Sequence, residues 1–116
     1  MKHLTAFMLL AALAPACAQA QGGPTTTRAF PDAEWVGACR AALEKRVKRE
    51  RPDVAAVKIE NSSLEDWQIS LRATGVRGSG DAIANGRAVP LTFRCTYDER
   101  LRAVRSLDYR LGKTGA

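Results

Sequence analysis

Residues 74–97 read TGVRGSGDAIANGRAVPLTFRCTY, and they decide the fold. Asn85-Gly86 between two alternating runs is the strongest short-range hairpin signal, because a two-residue turn of this type needs positive φ at both positions. A turn there sets Val89 opposite Ala82, Leu91 opposite Gly80, Phe93 opposite Gly78 and Cys95 opposite Val76. The large apolar residues and two glycines then share one face. Glycine at such positions leaves a trough in which a neighbouring element can sit close. The apolar phase is odd at Trp67, Ile69, Leu71 and Ala73 but even from Val76 to Ala82, so a bulge near Thr74-Gly75 is expected.

Outward from this hairpin, period two continues. Val57 and Ile59 flank Lys58 in a short strand over 54–60, and Asn61-Ser62-Ser63 reads as a turn. Residues 67–73 read as a half-buried strand, and 89–97 as another, with Pro90 at its start suiting an edge or bulge. Residues 98–100 turn the chain into a last strand, 103–111. Its inward face takes Leu107, Tyr109 and Leu111, with Val104 out of phase, so a register shift is expected near Arg105.

Before these strands, residues 32–51, DAEWVGACRAALEKRVKRER, show helical spacing. Trp35, Cys39, Ala42, Leu43 and Val47 fall on one stripe, which makes Cys39 an inward residue. Asp32 is the expected N-cap, and Pro52 stops the helix. Arg40–Glu44, Glu44–Lys48 and Arg46–Glu50 are expected pairs on the wet face.

Residues 1–20 read as a secretory signal: Lys2 and His3, an apolar run over 4–13 too short to span a bilayer, then Ala18-Gln19-Ala20. Cleavage between Ala20 and Gln21 is the main reading; lipidation at Cys17 is the alternative, although the usual Leu three places earlier is missing. Either way an exported domain, periplasmic or secreted, keeps Cys39 and Cys95 as a pair expected to form one disulfide. Residues 21–31 are expected to be a disordered lead-in, 32–111 a single domain and 112–116 a loose tail.

Processing at Gln21 removes His3, the only histidine, together with both methionines. The remaining chain cannot perform Ser-His or Cys-His catalysis or build a histidine zinc site, so no cofactor, metal or catalytic residue is expected. Loss of Lys2 leaves 17 basic against 12 acidic residues, a net charge of +5. That balance suits anionic envelope surfaces, although Arg and Ala enrichment also fits a GC-rich coding bias.

Three other features read as structural. Gly75, Gly78 and Gly80 in GVRGSGD lack the helix that must follow a phosphate loop. Glu65-Asp66 and Asp98-Glu99 are adjacent pairs in expected turns, and adjacent strand residues point to opposite faces. Trp35 and Trp67 fall in the apolar phase and are expected in the core rather than as a sugar-stacking platform.

A helix Cys, then Val76-x-Gly78-x-Gly80, Phe93-x-Cys95-x-Tyr97-Asp98 and a final strand with Tyr109 resembles small exported proteobacterial proteins of unknown function. The resemblance spans residues 35–111 and implies no catalytic residues. It also implies a Gly-containing turn where this chain has Asp98-Glu99-Arg100-Leu101. The expected fold is α+β, one N-terminal helix on an antiparallel sheet of about four strands, with one Cys39–Cys95 disulfide. The expected function is a non-catalytic envelope module that binds an envelope protein or an anionic polymer, with no specific nucleic acid and no transmembrane segment. The alternative is an inhibitor of an exported hydrolase with residues 81–87 as its probe. An enzyme is the third reading.

Overall fold

The computed structural model describes residues 26–112. The elements in chain order are β1 (Thr27–Arg28), α1 (Glu34–Glu50), β2 (Val54–Ile59), a 3₁₀ turn (Asn61–Ser63), β3 (Glu65–Ser70), β4 (Ala73–Ala84), β5 (Arg87–Asp98) and β6 (Ala103–Leu111). One helix packs on one antiparallel sheet, so the class is α+β. The signal peptide, the Ala20–Gln21 cleavage point, Cys17 and residues 113–116 lie outside the described residues.

β4 and β5 form the hairpin at Asn85-Gly86, with φ of 53° and 77° at the two turn residues. Its register is the expected one: Ala82 faces Val89, Gly80 faces Leu91, Gly78 faces Phe93 and Val76 faces Cys95. β6 pairs with β5 and slips register between Thr96 and Tyr97, so that Tyr97 faces Val104 and Arg105 is the extra residue. That bulge turns Val104 inward with Leu107, as the phase of the sequence required.

The sheet has six strands, not about four. Its order is β1-β3-β4-β5-β6, with β2 also pairing β4. β4 is long enough to take β3 along Ala73–Arg77 and β2 along Gly80–Ala84, end to end on one edge. Two further corrections explain the count. Residues 67–73 are not one strand: the chain turns at Leu71-Arg72, and Ser70 pairs with Ala73. The irregularity lies in β3, not at Thr74-Gly75: a register shift between Gln68 and Ser70 makes Ile69 the extra residue and sets Trp67 opposite Gly75, while Leu71 in the turn is 94% exposed. In the expected lead-in, Thr27 and Arg28 pair with Asp66 and Glu65, and Ala29 is buried against the core.

α1 buries Val36, Cys39, Leu43 and Val47, spaced three and four apart on one stripe. Against them lie Val76, Ala82, Leu91, Phe93, Cys95, Tyr97 and Leu107 of the sheet. Cys39 and Cys95 are bonded, with Cα atoms 6.0 Å apart. The N-cap is Ala33, not Asp32, and no side chain caps the helix. Of the three expected helix pairs only Glu44–Lys48 forms, at 3.0 Å. Arg40 instead donates to Asn61, Arg46 to the Leu107 carbonyl, and Glu50 accepts from Tyr109. These three tie helix to sheet and loop rather than helix to itself. Trp35 lies at the rim of this core and donates its indole N–H to Asp66 at 2.9 Å. No helix among the described residues is long and apolar enough to cross a membrane.

Candidate functional site

Alternation places odd-numbered residues of β4, even-numbered residues of β5 and, beyond the bulge at Arg105, even-numbered residues of β6 from Ser106 onward on the sheet face away from α1. Cross-strand register arranges them in rows. Glu65, Arg77, Arg94 and Asp108 form one row across β3, β4, β5 and β6. Ser79, Thr92 and Arg110 form the next, and Trp67, Gly75, Thr96 and Ser106 form the row on the other side.

Trp67 is placed by its neighbours. Its indole lies directly on Gly75, where a Cβ would collide with the ring system. The guanidinium carbons of Arg77 and Arg94 stand 5.7 and 5.5 Å from its centroid. Arg77 and Arg94 are directly opposite each other across β4 and β5, a like-charge arrangement that weakens a sheet. Contact of both cations with one ring offsets that repulsion, at about 0.5–1 kcal/mol each for exposed pairs. Glu65 holds Arg77 at 2.7 Å. Among the described residues Arg94 and Arg110 form no ion pair.

Next to Trp67 lies an open trough of about 710 Å³ lined by Ser63, Glu65, Arg77, Thr92, Arg94 and Arg110 among others, the indole itself not being part of the lining. Two unpaired guanidiniums beside a threonine hydroxyl are donors without acceptors, a set that matches carboxylate or phosphate oxygens. Glu65 and Asp108 border the trough, so the face is not uniformly basic.

The core expectation for Trp67 is overturned. The register shift at Ile69 sets it opposite Gly75 on the open face, whereas the Ser70–Ala73 pairing continued without a shift would set it opposite Val76 on the core face. Glu65 and Asp66 lie in β3 rather than in a turn, on opposite faces: Glu65 pairs with Arg77, while Asp66 accepts from Trp35 and Thr27. Nor is Asp98 solvated. It is 8% exposed and accepts from the backbone N–H groups of Arg100 and Leu101, 2.9 Å each. The Leu101 N–H first, then that of Arg100, holds its carboxyl below the usual aspartate range. This side-chain cap does the work of the expected glycine, with Arg102 taking the positive φ of 53°. Glu34, in the first turn of α1, accepts both Arg102 nitrogens at 2.8 Å and the Tyr97 hydroxyl at 2.6 Å. The Arg102 hydrogen bond, and then that of Tyr97, lowers its pKa to about 2.

Sequence reasoning missed Arg77, Thr92, Arg94 and Arg110. Their signal was present in the polar residues alternating with the apolar ones: Arg77 after Val76 in β4, Thr92 and Arg94 between Leu91, Phe93 and Cys95 in β5, and Arg110 between Tyr109 and Leu111 in β6. Among the described residues no group of three or more His, Cys, Asp or Glu side chains is placed to hold a metal ion. Comparison with protein-family models, with curated proteins and with solved structures finds no match for this chain.

Proposed function

We propose that the chain is a non-catalytic binding module of the cell envelope that holds an acidic glycan on the open face of its sheet. The observation that carries the reading is the donor set of Arg94, Arg110 and Thr92, beside an indole fixed by Gly75 and two guanidiniums. Carboxylates spaced along a polymer would meet those donors in turn, and the half-exposed Trp67 supplies a surface for a sugar ring. The Cys39–Cys95 bond suits an oxidising, exported setting. The inhibitor reading relied on a protruding segment 81–87, but Asp81–Ala84 lie inside β4 between β2 and β5, and only Asn85-Gly86 forms the turn.

The test is titration with polygalacturonate, followed by tryptophan fluorescence, with neutral dextran and single-stranded DNA as comparisons. Polygalacturonate should bind and dextran should not. Arg94→Gln and Arg110→Gln should each weaken binding about tenfold, the loss expected of a charge-assisted hydrogen bond. Gly75→Ala should displace the indole and weaken binding without lowering the melting temperature by more than a few degrees. Tighter binding of DNA, or full binding by the Arg94→Gln, Arg110→Gln double variant, would refute the assignment.

A further inference from the structure

The trough is not the only unexplained surface. At one end of the sheet two turns lie side by side: Leu71-Arg72 between β3 and β4, and residues 99–102 between β5 and β6. They are joined by the Glu99 N–H donating to the Arg72 carbonyl at 2.7 Å and by the Thr74 hydroxyl donating to the Glu99 carboxylate. Leu71 is 94%, Leu101 72% and Ile69 49% exposed. Neither leucine is needed by the core, and turns favour polar residues. Arg72, Arg100, Arg102 and Arg105 surround them, all exposed.

The acidic groups at this end are already engaged. Asp98 caps the turn from a buried position, Glu99 is held by Thr74 and Glu34 is taken by Arg102. Arg72, Arg100 and Arg105 form no ion pair among the described residues. The outcome is a rigid tip with apolar side chains at its centre and uncommitted cations around them. Such a combination binds anionic interfaces, where the apolar side chains enter the acyl boundary and arginines meet headgroup phosphates. β1 runs antiparallel to β3, with Thr27 opposite Asp66 and Arg28 opposite Glu65. The chain therefore enters the domain from the Ser70 end of β3, the same end as the two turns.

We infer that this tip docks on an anionic phospholipid bilayer, inserting Leu71 and Leu101 and placing Arg72, Arg100 and Arg105 at the headgroups. The surface is separate from the trough of the open face, since none of these residues lines it. Docking in this pose carries the sheet upright on the membrane with its open face to the side.

The experiment is co-sedimentation of the chain, as the cell exports it, with vesicles of equal parts phosphatidylglycerol and phosphatidylcholine, or of phosphatidylcholine alone. All proteins carry Cys17→Ser, so a lipid on that residue cannot contribute. The parent should favour the anionic vesicles. Leu71→Ser with Leu101→Ser should lower partition at least about tenfold, and Arg72→Gln with Arg100→Gln several-fold, both at unchanged melting temperature because these side chains are exposed. Arg94→Gln with Arg110→Gln should leave partition unchanged, which separates a failure here from a failure of the glycan reading. Equal binding to both vesicle types, equal binding by the double leucine variant, or a concentration-dependent dimer with no vesicle binding would overturn the inference.

Discussion

Replacing Gly78 with valine sets two effects of opposite sign against each other. A Cβ at Gly78 would stand 3.0 Å from both Leu64 Cδ2 and Phe93 Cε1, and 3.3 Å from Ser63 Oγ. Leu64 is 0% and Phe93 2% exposed, so neither has solvent to move into. The Cβ alone needs shifts of a few tenths of an ångström, and the two Cγ methyls of valine need more. Overpacking of this kind costs about 1–3 kcal/mol, whereas a strand gains at most about 1 kcal/mol when glycine becomes valine. The net loss is then about 1–2 kcal/mol. For a domain of this size that lowers the melting temperature by roughly 5–15 °C. The trough is filled by Leu64 from the 3₁₀ segment rather than by α1, so the strain falls on the junction of β2 and β3. Ser79→Val, one residue along on the open face, should change the melting temperature by no more than about 3 °C, because a surface substitution there amounts to about 0.5 kcal/mol. Thermal unfolding followed by circular dichroism under oxidising conditions reads both. Equal melting temperatures, or a Gly78→Val protein more stable than the parent, would refute the close packing over Gly78.

Two further outcomes follow from the covalent and ionic links of α1. Reducing the Cys39–Cys95 bond, which closes a separation of 56 residues, should remove up to about 4 kcal/mol, read as a lower denaturant midpoint with dithiothreitol than without. An unchanged midpoint would show that the bond constrains little. Glu34 has its pKa lowered from 4.5 to about 2, so the unfolded chain binds its proton more readily than the folded one. Its contribution is present above about pH 4.5 and is lost as pH falls toward 2. Glu34→Gln should therefore flatten the acid limb of the stability curve below about pH 4.5, while a parent-like limb in that variant would assign the loss to other carboxyls.

How much of this was legible depended on whether the signal was local. The Asn85-Gly86 turn fixes twelve cross-strand pairs of β4 and β5, because a two-residue turn leaves the register no freedom. The Val104 phase slip located the bulge, and two inward cysteines located the disulfide. Leu71-Arg72 carried no such signal. Neither residue is a turn former, so unbroken alternation from Trp67 to Ala73 hid a hairpin braced by the Ser70 hydroxyl, which accepts from the Arg72 N–H, and by the Glu99 N–H of a distant turn, which donates to the Arg72 carbonyl. That omission hid the paired tips, while the extra residue Ile69 in β3, equally unsignalled, is what takes Trp67 out of the core phase. β1 escaped because a two-residue strand has no periodicity to detect; its strand pairing depends on β3, while Ala29 just beyond it donates its N–H to the Leu64 carbonyl.

The register shift in β3 shapes the open face through Trp67. On the core face an indole at that position would compete with Trp35, whose N–H already reaches Asp66 on the neighbouring position of β3. The register shift at Ile69 instead sets Trp67 opposite Gly75 on the open face, where the missing Cβ makes room for the ring. With the ring there, Arg77 and Arg94, directly opposite each other, each gain a cation–π contact that offsets part of their repulsion. A sheet selected for stability alone would place opposite charges at those two positions. Glu65 does so on one side of Arg77, at 2.7 Å, but on the other side Arg94 is left with its donors uncommitted beside Thr92 and Arg110. The arrangement concentrates donors at the one place where the sheet supplies an aromatic support for them.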